Sequence, residues 1–343
     1  MKSIRLPLIG LAATVFLAVA GMETAAARTD LLVYTAVEAD ELAKFKGAFE
    51  KANPDIEIKW VRDSTGIITA KLLAEKANPQ ADIVWGHAAT SLLQLVAEGY
   101  FQPYAPKGVE KLSPKYVDQQ HKPPMWVGQR AYAASVCYNT VEGKKKNLPV
   151  PTSWQDLTKP VYKGSVVMPN PNSSGTGFLD VSSWIQIWGE QKAWKFMDGL
   201  HENIAWYTHS GSKPCKQAAA GEIPIGVSFD YRVVKSIEEG APLKLILPKE
   251  GLGWELEAFA IVKNTKKLDA ARRLADWTIT PEAMKLHAPG YSMVALPGVP
   301  NPLKDFPKLE DKMINNNFAW AGTNRERILK EWQRRYDAKS EKK

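Results

Sequence analysis

Strand-like and helix-like segments alternate between Leu31 and Gly99, and this alternation constrains the fold more than any other feature of the sequence. Residues 31–34, 56–61 and 81–85 have the apolar pattern of strands. Each is followed by a segment whose apolar residues recur every three or four positions, as in an amphipathic helix. Such β-α-β-α-β-α order predicts an α/β fold with a parallel sheet and helices on its faces.

Small polar turns follow each of these three strands. Thr35 follows the first, Ser64 and Thr65 follow the second, and Gly86 and His87 follow the third. In parallel α/β sheets, ligands bind beyond the carboxyl ends of the strands. One such turn is an ordinary loop, but three at the same sheet edge make Thr35, Ser64, Thr65 and His87 candidate ligand contacts.

A fourth turn of this kind lies in residues 168–188, MPNPNSSGTGFLDVSSWIQIW. A short strand breaks at two prolines, passes through small residues and continues as an apolar helix. Unpaired amides and the positive end of the helix dipole favour an anion at such a helix start. The candidate anion ligands are Ser173, Ser174, Gly175 and Thr176. The alternative is an ordinary helix cap, since Ser and Thr are common at that position.

The first 27 residues have the pattern of a cleavable export signal. Lys2 and Arg5 precede an apolar run over 6–20, and three alanines at 25–27 form an A-x-A cleavage site. The run is shorter than the roughly 20 residues of a membrane span. No cysteine lies near the cleavage point for lipid attachment. We therefore expect a protein exported without an anchor and, from its length, built from two lobes.

Charge and cysteine content restrict the classes of partner. The 343 residues carry 45 basic and 37 acidic side chains, a net charge of +8. These charges are dispersed, so nucleic acid is not expected as a partner. Cys137 and Cys215 are the two cysteines, and in an oxidising compartment they could form one disulfide. The sequence leaves their bonding open.

Catalytic and metal motifs are incomplete in this sequence. Residues 201–205 lack the second histidine of a zinc helix, and residues 290–294 lack the closing glycine of a nucleophile elbow. The five histidines do not have metal-ligand spacing. We therefore predict no catalytic residues, no metal and no cofactor.

Several longer segments together indicate a family. They read VYTAVEAD, RDSTGIITAKLLAEKANPQAD, TSWQDLTKPVYKG, VMPNPNSSGTGFLDV and YTHSGSKPCKQAAAGEIPIG. The chain resembles periplasmic solute-binding proteins of ABC importers, of the group that includes the ferric-ion binders, and most closely the 2-aminoethylphosphonate-binding members. The resemblance extends over nearly all of the chain that follows the export signal.

The resemblance implies a type II periplasmic binding protein fold. Two lobes, each a mostly parallel sheet flanked by helices, are joined by a double crossover hinge near residues 135–138 and 254–258, and the ligand lies in the cleft. The implied organisation is a signal at 1–27, lobe 1 at 28–135 plus 258–310, lobe 2 at 136–257, and a C-terminal helical segment at 311–343. Ligand binding would favour the closed form, which the permease subunits recognise.

The resemblance also bears on the ligand. Ferric-ion binders of the group carry adjacent tyrosines where this chain has Asp230 and Tyr231, so iron is disfavoured. A carboxylate near an anion site suits a zwitterion, with Asp230 or Glu38 holding an ammonium beside Tyr231. The alternative for Asp230 is an ion pair with Arg232.

The resulting expectation is a monomeric periplasmic receptor that delivers 2-aminoethylphosphonate to an ABC permease. The alternatives are a binding protein for another small anion, such as phosphate or a ferric complex, or for a polyamine. An exported phosphohydrolase or phosphonatase is the alternative from another class.

Overall fold

A computed structural model describes residues 28–290, 293–301 and 308–342. The predicted export signal at 1–27 lies outside the described residues. The strands are β1 Thr29–Thr35, β2 Ile56–Arg62, β3 Ile83–Ala88, β4 Phe101–Gln102, β5 Val127–Asn139, β6 Val166–Pro169, β7 Ile204–Thr208, β8 Ile225–Phe229, β9 Leu243–Ile246, β10 Trp254–Val262 and β11 Met293–Val294. The α-helices are α1 Leu42–Ala52, α2 Thr65–Ala74, α3 Ala89–Ala97, α4 Thr140–Lys145, α5 Gly175–Trp188, α6 Glu190–Asn203, α7 Lys213–Ala219, α8 Asp230–Glu238, α9 Leu268–Thr278, α10 Pro281–His287 and α11 Phe318–Tyr336.

The strands form two sheets that share the long strand β5. Their combined order is β2-β1-β3-β10-β5-β8-β6-β7, with β4, β9 and β11 pairing at the side. β1 is parallel to its neighbours β2 and β3, and β6 is parallel to its neighbours β7 and β8. The two-lobed α/β architecture expected from the sequence is therefore confirmed.

The strands that join the lobes run against their neighbours, so the sheets are mixed. β5 pairs with β10 from Val127 to Ala133 and with β8 from Ala134 to Tyr138, all antiparallel. β10 also runs antiparallel to β3. We call the part containing β1–β4, β10 and the start of β5 lobe 1, and the part containing β6–β9 and the end of β5 lobe 2. The residue limits of the lobes given above stay a prediction.

Each lobe has its own apolar core. In lobe 1 the fully buried rings of Phe45 in α1 and Trp85 in β3 pack edge to face with centroids 5.0 Å apart. In lobe 2 Trp154 and Trp184 pack edge to face at 5.4 Å. A disulfide between Cys137 of β5 and Cys215 of α7, with Cα atoms 5.6 Å apart, ties α7 to the shared strand.

The C-terminal helix α11 begins at Phe318. Asn317 caps it by accepting a hydrogen bond from Trp320 N at 2.9 Å. A Cβ added at Gly322 would lie 3.3 Å from Thr90 O of α3, so α11 packs closely on lobe 1. None of the helices in the described residues has the length and apolar character needed to cross a membrane.

Candidate functional site

A cavity lies between the lobes at the carboxyl ends of the strands. Its solvent-accessible volume is about 40 Å³ in this closed form. Lobe 1 contributes Ala36, Glu38, Arg62, Ser64, Thr65, Gly86, Ala88 and Glu257, and lobe 2 and β5 contribute Tyr132, Ser174, Gly175, Thr176, Ser210, Gly211 and Phe229.

Two helix starts meet at this cavity. Ser64, in an extended conformation, precedes α2, and its hydroxyl makes no capping bond. Ser174 precedes α5, and its Oγ accepts a hydrogen bond from Gly177 N at 3.3 Å. Across the lobes, Gly66 N donates to Ser173 O at 2.8 Å. Because both helices present their positive ends here, the cavity favours an anion.

Close packing between these helix starts requires glycine. A Cβ on Gly175 would lie 2.6 Å from Thr65 Oγ1, and a Cβ on Gly66 would lie 1.9 Å from Asn172 O. Both pairs cross from one lobe to the other. The structure is therefore that of a closed cleft, with backbone from one lobe against backbone and hydroxyls from the other.

Arg62 is a cavity residue that the sequence reasoning missed. It ends β2, and its Nε donates to Val37 O at 3.0 Å, which holds the guanidinium at the cavity wall. A guanidinium can bind two oxygens of a phosphonate or phosphate. The signal was present in the sequence, because a basic residue two positions before Ser64 ends a strand at the ligand-binding edge.

Two carboxylates also line the cavity. Glu38 Oε2 accepts from the guanidinium of Arg232 at 2.5 Å, an ion pair between the lobes. Glu257 Oε2 accepts from Arg130 Nε at 2.7 Å, and burial raises the pKa of Glu257. The cavity thus carries acidic and basic groups together, as a zwitterionic ligand requires.

Aromatic rings form another part of the wall. Tyr132 and Phe229 pack edge to face with centroids 5.4 Å apart. Burial raises the pKa of the Tyr132 hydroxyl well above its ordinary value, so the phenol is neutral. These rings exclude water and strengthen electrostatic contacts inside the cavity.

The structure brings six of the sequence-predicted residues to the cavity, namely Glu38, Ser64, Thr65, Ser174, Gly175 and Thr176. It places Ser173 and Thr35 outside the lining. The Ser173 hydroxyl donates to His209 O at 2.7 Å, and Thr35 Oγ1 accepts from Val37 N at 3.1 Å. Both hydroxyls shape the turns that carry the lining residues.

His87 belongs to β3 and not to the turn after it, because β3 continues to Ala88. Its Nε2 lies 3.0 Å from Thr69 Oγ1, whose proton is donated to Thr65 O at 2.7 Å. Nε2 therefore carries the ring proton and donates it to Thr69. Burial lowers the pKa of His87 to about 3, so the ring is neutral and supports Thr65 from behind.

Asp230 and Tyr231 also lie behind the cavity wall. Asp230 begins α8, is fully buried, and accepts from Ala133 N at 2.9 Å. The Tyr231 ring stacks against Phe229 with centroids 6.2 Å apart. Phe229, immediately before Asp230, is the residue of this segment that faces the cavity. No group of three or more His, Cys, Asp or Glu side chains that could hold a metal occurs in residues 28–290, 293–301 and 308–342.

Comparisons with known proteins agree with this geometry. The family model of bacterial extracellular solute-binding proteins matches residues 78–325. The chain belongs to this family. Because the family consists of binding proteins, the prediction that the chain is not an enzyme is confirmed.

Relatives of this solute-binding protein include characterised and uncharacterised members. An uncharacterised protein of Haemophilus influenzae is 31% identical over 242 residues, 68% of either chain. A probable ABC transporter periplasmic-binding protein of Sinorhizobium fredii, y4fP, is 26% identical over 273 residues, covering 76% of this chain and 73% of that one. The periplasmic binding protein AfuA of Actinobacillus pleuropneumoniae, solved with exogenous fructose-6-phosphate bound, is 27% identical with a TM-score of 0.84, covering 91% of this chain and 99% of that one.

Proposed function

We propose that this solute-binding protein is the periplasmic receptor of an ABC importer and that it captures 2-aminoethylphosphonate in the interlobe cavity. The observation that carries the proposal is the pairing, in one small cavity, of an anion site with carboxylates. The anion site consists of Arg62 and the starts of α2 and α5. The carboxylates are Glu38 and Glu257.

The phosphonate half of the ligand is assigned to Arg62, the hydroxyls of Ser64, Thr65, Ser174 and Thr176, and the amides at the start of α5. The first intrahelical bond of α5 runs from Phe178 N to Ser174 O, so the amides of Gly175 and Thr176 precede the hydrogen-bonded ladder. These donors suit the three oxygens of a phosphonate.

The ammonium half is assigned to Glu38. Its carboxylate lies at the cavity, 8% exposed, and already joins the lobes through Arg232. Asp230, the other carboxylate considered from sequence, lies behind the wall with its Oδ1 bonded to Ala133 N. We therefore assign it to the support of β5 and not to the ligand.

A sugar phosphate is the second candidate, because the relative AfuA was solved with fructose-6-phosphate bound. The same anion site would hold the phosphate, and the carboxylates would accept from sugar hydroxyls. The two ligands differ in charge, because only the aminophosphonate carries an ammonium group that Glu38 could bind.

Calorimetric titration of the exported form tests the proposal. The ligands are 2-aminoethylphosphonate, ethylphosphonate, fructose 6-phosphate, inorganic phosphate, spermidine and ferric citrate. We expect the tightest binding for 2-aminoethylphosphonate. Ethylphosphonate, which lacks the ammonium, should bind at least about tenfold more weakly. If fructose 6-phosphate binds more tightly, the proposed ligand becomes a sugar phosphate. Binding of spermidine or ferric citrate alone would exclude both. Recovery of intact ligand after denaturation separates a receptor from a phosphonatase.

The variant Arg62→Gln tests the anion site. Loss of the guanidinium should weaken binding of every phosphonate or phosphate ligand by about 10- to 100-fold, because a charge-assisted bond to a desolvated anion is lost. Arg327→Gln is the matched control, since Arg327 lies on the exposed side of α11 and pairs with Glu190. Unchanged affinity in Arg62→Gln would place the anion elsewhere.

A further inference from the structure

One turn of lobe 2, residues 208–212, serves both the cavity and the contact between the lobes. Ser210 and Gly211 line the cavity. His209 Nε2 lies 2.8 Å from Asp63 Oδ1 of lobe 1. A displacement of this turn would therefore alter the ligand site and the closed cleft together.

Side chains from several elements hold the backbone of this turn. Ser173 Oγ donates to His209 O at 2.7 Å, and Ser228 Oγ donates to Gly211 O at 2.7 Å. Thr208 Oγ1 donates to Ser210 O at 3.0 Å. His209 N donates to Glu341 Oε1 at 2.5 Å. Glu341, from the C-terminal segment, thus accepts a hydrogen bond from a backbone amide of this turn.

The C-terminal segment is itself fixed to lobe 2, which places Glu341 accurately. Ser340 bridges to Tyr207 in the parallel sense, and Glu341 N donates to Tyr207 O at 2.9 Å. Lys339 Nζ donates to the carbonyls of His201 and Ile204 at 2.5 and 2.8 Å. The segment continues the edge of the sheet beside β7. The second Glu341 oxygen pairs with Lys213, the first residue of α7.

The turn tolerates little displacement, because it packs against the start of α5. A Cβ on Gly211 would lie 2.3 Å from Thr176 Oγ1 and 3.1 Å from Ser174 Oγ. These two hydroxyls belong to the proposed anion site. The position of Gly211 therefore sets where they point.

From these contacts we infer that Glu341 is a positioning residue for ligand binding, acting through the 208–212 turn. Its carboxylate holds His209 N and Lys213, which keeps Ser210 and Gly211 against the cavity and His209 opposite Asp63. The inference rests on the proposed function in that the ligand occupies this cavity. It assigns a role in binding to a C-terminal segment that contributes no lining residue to the cavity.

The test compares three variants of the whole exported protein. Glu341→Ala removes both contacts, Glu341→Gln keeps an acceptor for His209 N but loses the ion pair, and Glu326→Ala is the control. Glu326 is an exposed residue of α11 paired with Lys330. We expect Glu341→Ala to bind 2-aminoethylphosphonate about tenfold more weakly, and Glu341→Gln to stay within about threefold of the parent. The control should be unchanged, and the melting temperatures of the ligand-free proteins should agree.

Hydrogen exchange of the ligand-free proteins supplies a second readout that does not depend on the ligand's identity. Amides of residues 208–212 should exchange faster in Glu341→Ala than in the parent, and those of Glu341→Gln should not. If the parent fails to bind 2-aminoethylphosphonate, the proposed function falls while this exchange result still decides the role of Glu341. Unchanged exchange in Glu341→Ala overturns the inference, as does equal loss of affinity in all three variants.

Discussion

Asp230 and Glu255 are buried carboxyl groups near the shared strands, and each accepts hydrogen bonds from neutral donors. Asp230 accepts from Ala133 N, and Glu255 accepts from the Thr90 hydroxyl at 2.5 Å. Burial raises the pKa of each to about 7. An acid whose pKa is raised on folding binds a proton in the native state that the unfolded chain releases. Their contribution to stability is therefore present at low pH and is lost as pH rises through about 7.

The variant Asp230→Asn should remove part of this pH dependence. Asparagine keeps an oxygen for Ala133 N and cannot ionise, so at pH 4 the variant and the parent should be equally stable. At pH 8 the variant should be more stable, by on the order of 4 kcal/mol, because the pKa of Asp230 is raised from 3.8 to about 7. Urea unfolding at pH 4, 6 and 8 measures the difference. A stability difference that is the same at all three pH values would contradict the assignment.

Ligand binding by the same variant tests the sequence-based hypothesis that Asp230 holds the ammonium of the ligand. Because Asp230 lies behind the cavity wall, Asp230→Asn should bind 2-aminoethylphosphonate within about threefold of the parent, since no contact to a charged ligand is removed. Selective loss of 2-aminoethylphosphonate binding, with ethylphosphonate unaffected, would instead return the ammonium to Asp230.

At the scale of elements, the starts of α2 and α5 act as a pair that exists only in the closed cleft. Gly66 of α2 approaches Asn172 of the turn before α5, and a Cβ there would meet the carbonyl oxygen at 1.9 Å. The atom it meets is backbone, so no rotamer change relieves the clash. The requirement for glycine therefore belongs to closure and not to folding of either lobe.

The variant Gly66→Ala should separate closure from folding. Opening the cleft would remove the contact with Asn172, and helix propensity favours alanine over glycine by up to about 1 kcal/mol. The melting temperature of the ligand-free variant should therefore match or exceed that of the parent. Ligand affinity should fall at least about 30-fold, because overpacking opposes the closed form.

Gly47→Ala is the matched control for this prediction. Gly47 also lies inside a helix, α1, and a Cβ there meets no atom within 4 Å. It should gain the same helix stability without loss of affinity. Calorimetric titration and thermal unfolding of both variants provide the comparison. Parental affinity in Gly66→Ala would show that the ligand-bound cleft is more open than this structure.

At the scale of the whole molecule, ion pairs between the lobes stabilise closure before any ligand arrives. Glu38 pairs with Arg232, and Asp40 pairs with Lys235. Asp40 is partly exposed, and salt screens such a pair. The balance between open and closed forms should thus depend on ionic strength.

Small-angle scattering can measure this dependence. The radius of gyration of the ligand-free protein should increase between about 0.02 and 0.5 M salt, because the screening length falls from roughly 20 Å to a few ångströms. Saturating ligand should keep the protein compact at both salt concentrations, since contacts within the closed cavity are shielded from solvent. If the radius of gyration of the ligand-free protein did not change with salt concentration, the exposed ion pairs would be excluded as closure contacts.

The strand-helix alternation and the helix start near Ser174 could be predicted from sequence. Each depends on residues a few positions apart, through capping, periodicity and turn chemistry. The chain length indicated two lobes, and the resemblance added the crossover hinge and the cleft between them. Errors occurred at element ends, as for His87, where pairing of β3 with β10 extends the strand to Ala88.

The sequence by itself therefore determined the elements and the polar turns at the strand ends, because short-range physics is encoded locally. Only the tertiary structure decided which turns share a cavity. It placed Arg62, Glu38 and Gly211 beside Ser174, and moved Asp230 behind the wall. The physical reason is that strand register and lobe closure bring together residues 37 to 136 positions apart in the sequence. Packing between such distant residues leaves no local sequence pattern.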